Sequence, residues 1–273
     1  MYGWVTRLEE FNRTMTTEGI CGICGRKRPL SFEHLPPQSA FNKQTARIET
    51  FEEAMQHHPL DPTGGKIKQG GVGLHTLCTD CNSKTGALYV NEYTSWANQA
   101  AQLLGLDDSP KEPQVFKGYP GRFLKQVVTL FMSVDHPRLI QRHPDFYHYL
   151  MLKNRTRLPR GIRIYAYLNP STKGRTSNNQ AITNIETHKH FFFLEFAFFP
   201  FGFVLTEKSP PPDDRLVDIT ELARYSYDDY AELPLFLPSF PVISQFAGIY
   251  HPMDEVRNIR KPVQDGDEDS GPA

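Results

Sequence analysis

The chain has 273 residues, 39% hydrophobic and 12% aromatic, which is enough for a sizeable core in one large domain or two modest ones. Its formal net charge of −1 excludes a uniformly basic coat for nucleic acid but leaves room for a local basic groove. The longest apolar run, residues 191–205, is broken by Glu195, Pro200 and Gly202, and residues 1–19 hold no apolar signal core, so the reading is a cytoplasmic protein with no membrane partner.

In chain order, residues 5–16 carry Leu8, Phe11 and Met15 at helical spacing, and Gly19 ends that pattern. Residues 31–34 predict a short strand stopped by Pro36 and Pro37. Residues 39–67 form a long polar insertion with no legible fold. Residues 74–77 predict a second short strand, residues 78–86 a turn entering a helix, and residues 92–104 a further helix. Residues 107–120, rich in Pro, Asp and Lys, read as a linker. Beyond it, helices are predicted over 122–134 and 144–153, and a cleanly alternating strand over 162–168. Two more strands, 190–199 and 201–206, flank Pro200, with enough aromatic residues to be buried on both faces; a loop at 210–214 and a short helix over 218–225 follow. The division is a first domain over 1–110, an α+β domain over 120–260 and a disordered acidic tail over 261–273.

The four cysteines fall in two pairs, Cys21-Gly-Ile-Cys24 and Cys78-Thr-Asp-Cys81. Each Cys-x-x-Cys can place two thiolates on one metal, and four thiolates close a tetrahedral shell, so the pattern predicts a structural zinc site with no open position for chemistry. In a reducing compartment such pairs are metal ligands rather than disulfides. Any chemistry then lies with the residues that the staple holds: Glu33 and His34 between the pairs, and Asn82 directly after the second.

The order Cys-x-x-Cys, Glu-His-x-x-Pro, Cys-x-x-Cys-Asn-x-x-x-Gly resembles the zinc-stapled branch of the HNH endonuclease family, through Cys21, Cys24, Glu33, His34, Pro37, Cys78, Cys81, Asn82 and Gly86. The resemblance covers the first third of the chain. It implies an α+β fold whose N-terminal ββα-metal, treble-clef-like module is stapled by zinc. A C-terminal α+β domain with an aromatic-rich antiparallel sheet follows it. It also implies metal-dependent hydrolysis of DNA, with His34 as general base and with Glu33 and Asn82 holding a catalytic Mg²⁺ or Mn²⁺. Two features depart from the family pattern. Gly73 stands where an asparagine commonly steadies the base-bearing loop, and Asn82 stands where a final histidine is commoner. The residues also admit plainer roles: Glu33 as a solvated carboxylate, Asn82 as a helix-start residue and His75 as an ordinary strand histidine.

Basic residues cluster at Arg26–Lys27–Arg28, at Lys66 and Lys68, and at Lys153, Arg155, Arg157, Arg160 and Arg163. Such patches suit phosphate contacts, with DNA preferred over RNA as partner. The phenylalanines of 191–203 read as core rather than as a base-stacking platform. The rival to a nuclease is an inactive zinc-stapled module that binds nucleic acid or protein. In that reading the C-terminal domain is an adaptor or sensor for a protein partner or a small-molecule regulator.

Overall fold

The computed structural model describes residues 2–5, 17–56, 65–183 and 190–259. Strands β1 (Tyr2–Val5), β2 (Thr17–Ile20), β3 (Lys27–His34) and β4 (Ala46–Glu49) precede helix α1 (Phe51–Gln56). Strands β5 (Lys66–Lys68) and β6 (Gly73–Cys78) lead into helix α2 (Thr79–Leu106). Strand β7 (Gln114–Gly118) and helices α3 (Pro120–Val134), α4 (Arg138–Arg142) and α5 (Asp145–Met151) come next. The C-terminal part holds strands β8 (Ile162–Leu168), β9 (Arg175–Thr183), β10 (His190–Phe198), β11 (Phe201–Glu207), β12 (Val217–Asp218) and β13 (Ala231–Leu235), a 3₁₀ turn at Thr220–Arg224, and helix α6 (Met253–Ile259). The fold is mixed α and β, and no described helix is long and apolar enough to cross a membrane.

Three sheets form. A small one, β2-β3-β6, is wholly antiparallel, and so is the pair β13-β7. The large sheet runs β12-β8-β11-β10-β9-β1-β4-β5. It is antiparallel from β12 to β9, as expected for the aromatic-rich strands, but β1 pairs in parallel with both β9 and β4. Strands from the first hundred residues therefore extend a sheet built mainly by the last hundred. The insertion at 39–67, which had no legible fold, supplies β4, α1 and part of β5.

Several elements differ from their sequence patterns. The helix expected over 5–16 lies outside the described residues except for Val5, which ends β1. The expected turn at 78–86 and helix at 92–104 are one helix of 28 residues. Gly86 costs such a helix about 1 kcal/mol. The buried face of Cys81, Thr85, Tyr89, Tyr93, Trp96, Ala97 and Ala100 packs on α3 and overrides that cost. The expected linker holds β7, whose Phe116 stacks on Trp96 at 5.3 Å; Trp96 in turn stacks on Phe123 of α3 at 4.2 Å. Packing thus continues across the expected boundary near residue 110. One buried cluster runs from Cys21 and Leu77 through α2 and α3 to Phe203 and Leu205. The expected acidic tail lies outside the described residues.

The aromatic strands are buried on both faces, and alternation explains it. Leu194, Phe196, Phe203 and Leu205 join the cluster of α2 and α3, while Phe193, Ala197, Tyr165, Tyr167 and Val204 face Phe240, Val242 and Tyr250. On that second face Arg175 donates two bonds to Glu195, at 3.0 and 2.9 Å, and Tyr167 donates a third at 2.7 Å.

Candidate metal centre and the His34 surface

The four cysteine sulfurs lie within 4.8 Å of one another, so both Cys-x-x-Cys pairs converge on one point. A tetrahedron of sulfurs about 2.3 Å from zinc has edges of about 3.8 Å, so the cluster fits a metal such as zinc. The backbone prepares it. The Cys21 carbonyl accepts from Gly25 N–H at 2.9 Å, and Cys21 N–H donates to the Arg26 carbonyl at 2.9 Å, which folds the first pair into a tight knuckle. The N–H of Cys78 donates to the Cys21 sulfur at 3.3 Å. Cys78 and Cys81 flank the start of α2. The hydrogen bond from Cys81 draws the Cys21 thiol down to about 4 and pushes Cys81 up in return. A dication relieves such crowding of sulfur charge.

The knuckle, the antiparallel pair β3–β6 and helix α2 follow one another in space as a hairpin and a helix around this cluster. His34 stands at the last residue of β3. Its Nε2 lies 3.1 Å from the Gly70 carbonyl oxygen. A carbonyl only accepts, so this bond needs the proton on Nε2 and puts the neutral ring's lone pair on Nδ1. Phe32 shares the His34 face of the strand, with its ring edge-on to His34 at 5.0 Å and to His75 at 5.3 Å. Burial lowers the pKa of His75. The strand pair places Gly73 opposite His34, and the Phe32 ring covers it. A Cβ on Gly73 would lie 2.5 Å from Phe32 Cζ and 2.2 Å from the Glu33 carbonyl oxygen. The asparagine that the family pattern prefers at this position has no room in this fold.

Glu33 leaves the strand on the opposite face from His34, as alternation requires. Its carboxyl is buried and accepts hydrogen bonds from the hydroxyls of Thr76 and Ser133. Burial pushes its pKa up to about 7, against the pull of those two bonds. The plainer role of a solvated carboxylate is therefore corrected: Glu33 is a core residue that ties β3 to β6 and α3. Asn82, in the first turns of α2, donates through Nδ2 to Ser31 Oγ at 3.1 Å and to the Phe32 carbonyl at 3.2 Å. Both contacts fasten α2 to β3. The expected pairing of Glu33 with Asn82 around a catalytic cation does not fit this arrangement, because the Glu33 carboxyl is turned inward and already bonded. Among the described residues, the cysteine cluster is the one group of three or more Cys, His, Asp or Glu side chains placed to share a metal.

Asn42 went unnoticed in the sequence, inside the polar insertion. It is 2% exposed, donates at 2.7 Å to both the Pro36 and Val72 carbonyls, and accepts from Val72 N–H at 2.8 Å. The signal that could have found it was the pair Gly70–Gly71, since consecutive glycines before a strand often mark a backbone that something else approaches closely.

Exposed basic residues occur in two groups. Arg26, Lys27 and Lys84 are exposed, while Arg28 pairs with Asp80 at 2.7 Å. Lys153, Arg155, Arg157 and Arg160 form a second exposed group, and Arg163 pairs with Asp218 at 2.7 Å. No family model, curated protein or solved structure matches the chain.

Proposed function

We propose that this chain is an HNH-type phosphodiester hydrolase acting on DNA, with His34 as general base. The observation that carries this reading is the His34–Gly70 bond. With its Nε2–H donated to that carbonyl, the neutral imidazole carries its lone pair on Nδ1, the nitrogen that acts as base in this reading. In the proposed step, Nδ1 of His34 takes a proton from a water as that water's oxygen bonds to phosphorus. The bond from phosphorus to the leaving oxygen breaks, that oxygen takes up a proton from solvent water, and His34 returns its proton to solvent. The cysteine cluster, loaded with zinc, holds β3, β6 and α2 in place and takes no part in the step. The exposed basic groups beside the knuckle suit a phosphate backbone.

A Mg²⁺ or Mn²⁺ would neutralise the charge that develops on the phosphate. Glu33 is not available to hold it. The inward turn of Glu33 and the engagement of Asn82 with β3 favour a second reading, in which the module binds nucleic acid or a protein and leaves it uncut. Incubating the zinc-loaded protein with supercoiled plasmid, with and without added Mg²⁺ or Mn²⁺ and with EDTA, separates the two. Hydrolysis predicts nicked product that needs the added ion. The binding reading predicts salt-sensitive retention of the plasmid with no product.

A further inference from the structure

We propose that Asn42 is the positioning residue of His34, acting through the Gly70 carbonyl; this inference rests on His34 being the base. His34 Nε2 has the Gly70 carbonyl as its acceptor, so where the chain segment 70–72 is held bears on the direction of the ring. That segment lies 30 residues from Asn42 in sequence and belongs to no strand or helix.

Two bonds from one side chain hold it, and a third ties that side chain to the segment after His34. Asn42 Nδ2 donates to the Val72 carbonyl, and Oδ1 accepts from Val72 N–H. The second Nδ2 hydrogen goes to the Pro36 carbonyl, two residues after His34. Leu35 N–H adds a direct bond to the Val72 carbonyl at 3.0 Å. The amide of Asn42 thus bridges the segment that carries the base and the segment that carries its acceptor. Gly71 fits the same purpose. Its φ is +97°, and a Cβ there would lie 2.1 Å from the Asn42 carbonyl oxygen and 2.7 Å from Oδ1. A side chain at 71 would push the bridge apart. Gln38 also reaches the Gly70 carbonyl, but at 3.5 Å and from an exposed position.

A merely structural asparagine would change stability and leave the state of the imidazole alone. A positioning asparagine fixes which ring nitrogen carries the proton. The test is ¹⁵N NMR of the histidine rings in the full-length, zinc-loaded chain at about pH 8, above the ordinary imidazole pKa of about 6.5. His34→Ala identifies the signal. The wild-type ring is expected as the Nε2–H tautomer. In Asn42→Ala it should become a mixture of tautomers at unchanged zinc content. Plasmid cleavage should lose about 10- to 100-fold in kcat with little change in KM. Asn42→Asp keeps the side-chain volume and the Val72 N–H bond while losing both donated bonds; it should show the same change, and it decides the matter if the alanine variant does not fold. A wild-type ring in the Nδ1–H form overturns the proposal, as does an unchanged tautomer and kcat in a folded Asn42 variant. A tautomer change in a chain that never cleaves plasmid supports the clamp on His34 and contradicts the hydrolase instead.

Discussion

Ser133 donates a hydrogen bond to the carboxyl of Glu33 across 100 residues of sequence. This bond joins the strand that ends in His34 to helix α3, so the cysteine-stapled hairpin is anchored in the main core. The neighbouring bond from Thr76 ties the same carboxyl to β6. Glu33 therefore supports the hairpin from behind, while His34 faces the other way.

That burial gives Glu33 a testable pH signature. Its pKa is 4.5 in the unfolded reference and about 7 in the fold. Between those values the native state holds more protons than the unfolded state, so stability falls as pH rises through the window. The difference amounts to about 3 kcal/mol between pH 4.5 and pH 7. Urea unfolding of zinc-saturated protein at several pH values should show this decline. Glu33→Gln, which keeps both hydroxyl contacts without a titrating group, should flatten it. An equal slope in both proteins would place the effect elsewhere.

The metal centre predicts that Cys78→Ser lowers bound zinc and lowers stability by several kcal/mol, since binding energy at such a site is folding energy. Elemental analysis and thermal unfolding check this together. A strong chelator should reproduce the shift in the wild type and cause none in the variant.

Gly73 predicts an asymmetry between sequence pattern and fold. Gly73→Asn introduces the residue that the HNH pattern commonly has there, yet its Cβ meets Phe32 and the Glu33 backbone. The expected outcome is a loss of about 1 to 3 kcal/mol and no gain in activity. Denaturant titration and the plasmid assay measure the two parts.

The ion pair of Arg175 and Glu195 is buried, at 4% and 0% side-chain exposure. Removing one partner leaves an uncompensated charge, so Arg175→Met should cost about 3 to 5 kcal/mol. Arg175 also holds the Ser244 and Phe246 carbonyls, which adds to the loss. The double variant Arg175→Met, Glu195→Leu should be less destabilised than the sum of the single changes, in a double-mutant cycle.

Much of this was legible in the sequence where one local rule dominates. The alternation at 162–168 marked β8, and the spacing of the cysteines marked the metal cluster, because period and spacing carry those signals directly. The 28-residue α2 was not legible, since Gly86 is a local break that only packing against α3 overrides. β1 was hidden because its partners, β4 and β9, are far away in sequence. The roles of Glu33 and Asn42 were hidden for the same reason. A carboxylate beside a histidine reads as a ligand until Ser133 is known to sit behind it, and an asparagine in a polar loop shows nothing until two chain segments close around it.

The most direct test of the central claim is single-turnover plasmid cleavage by wild type, His34→Ala and Glu33→Gln, all zinc-loaded and with Mg²⁺ or Mn²⁺ present. The account predicts cleavage by the wild type, its loss in His34→Ala, and cleavage retained by Glu33→Gln at neutral pH, because Glu33 supports the strand and touches no substrate. Equal cleavage by His34→Ala and the wild type, or none by a folded and zinc-loaded wild type, would contradict it.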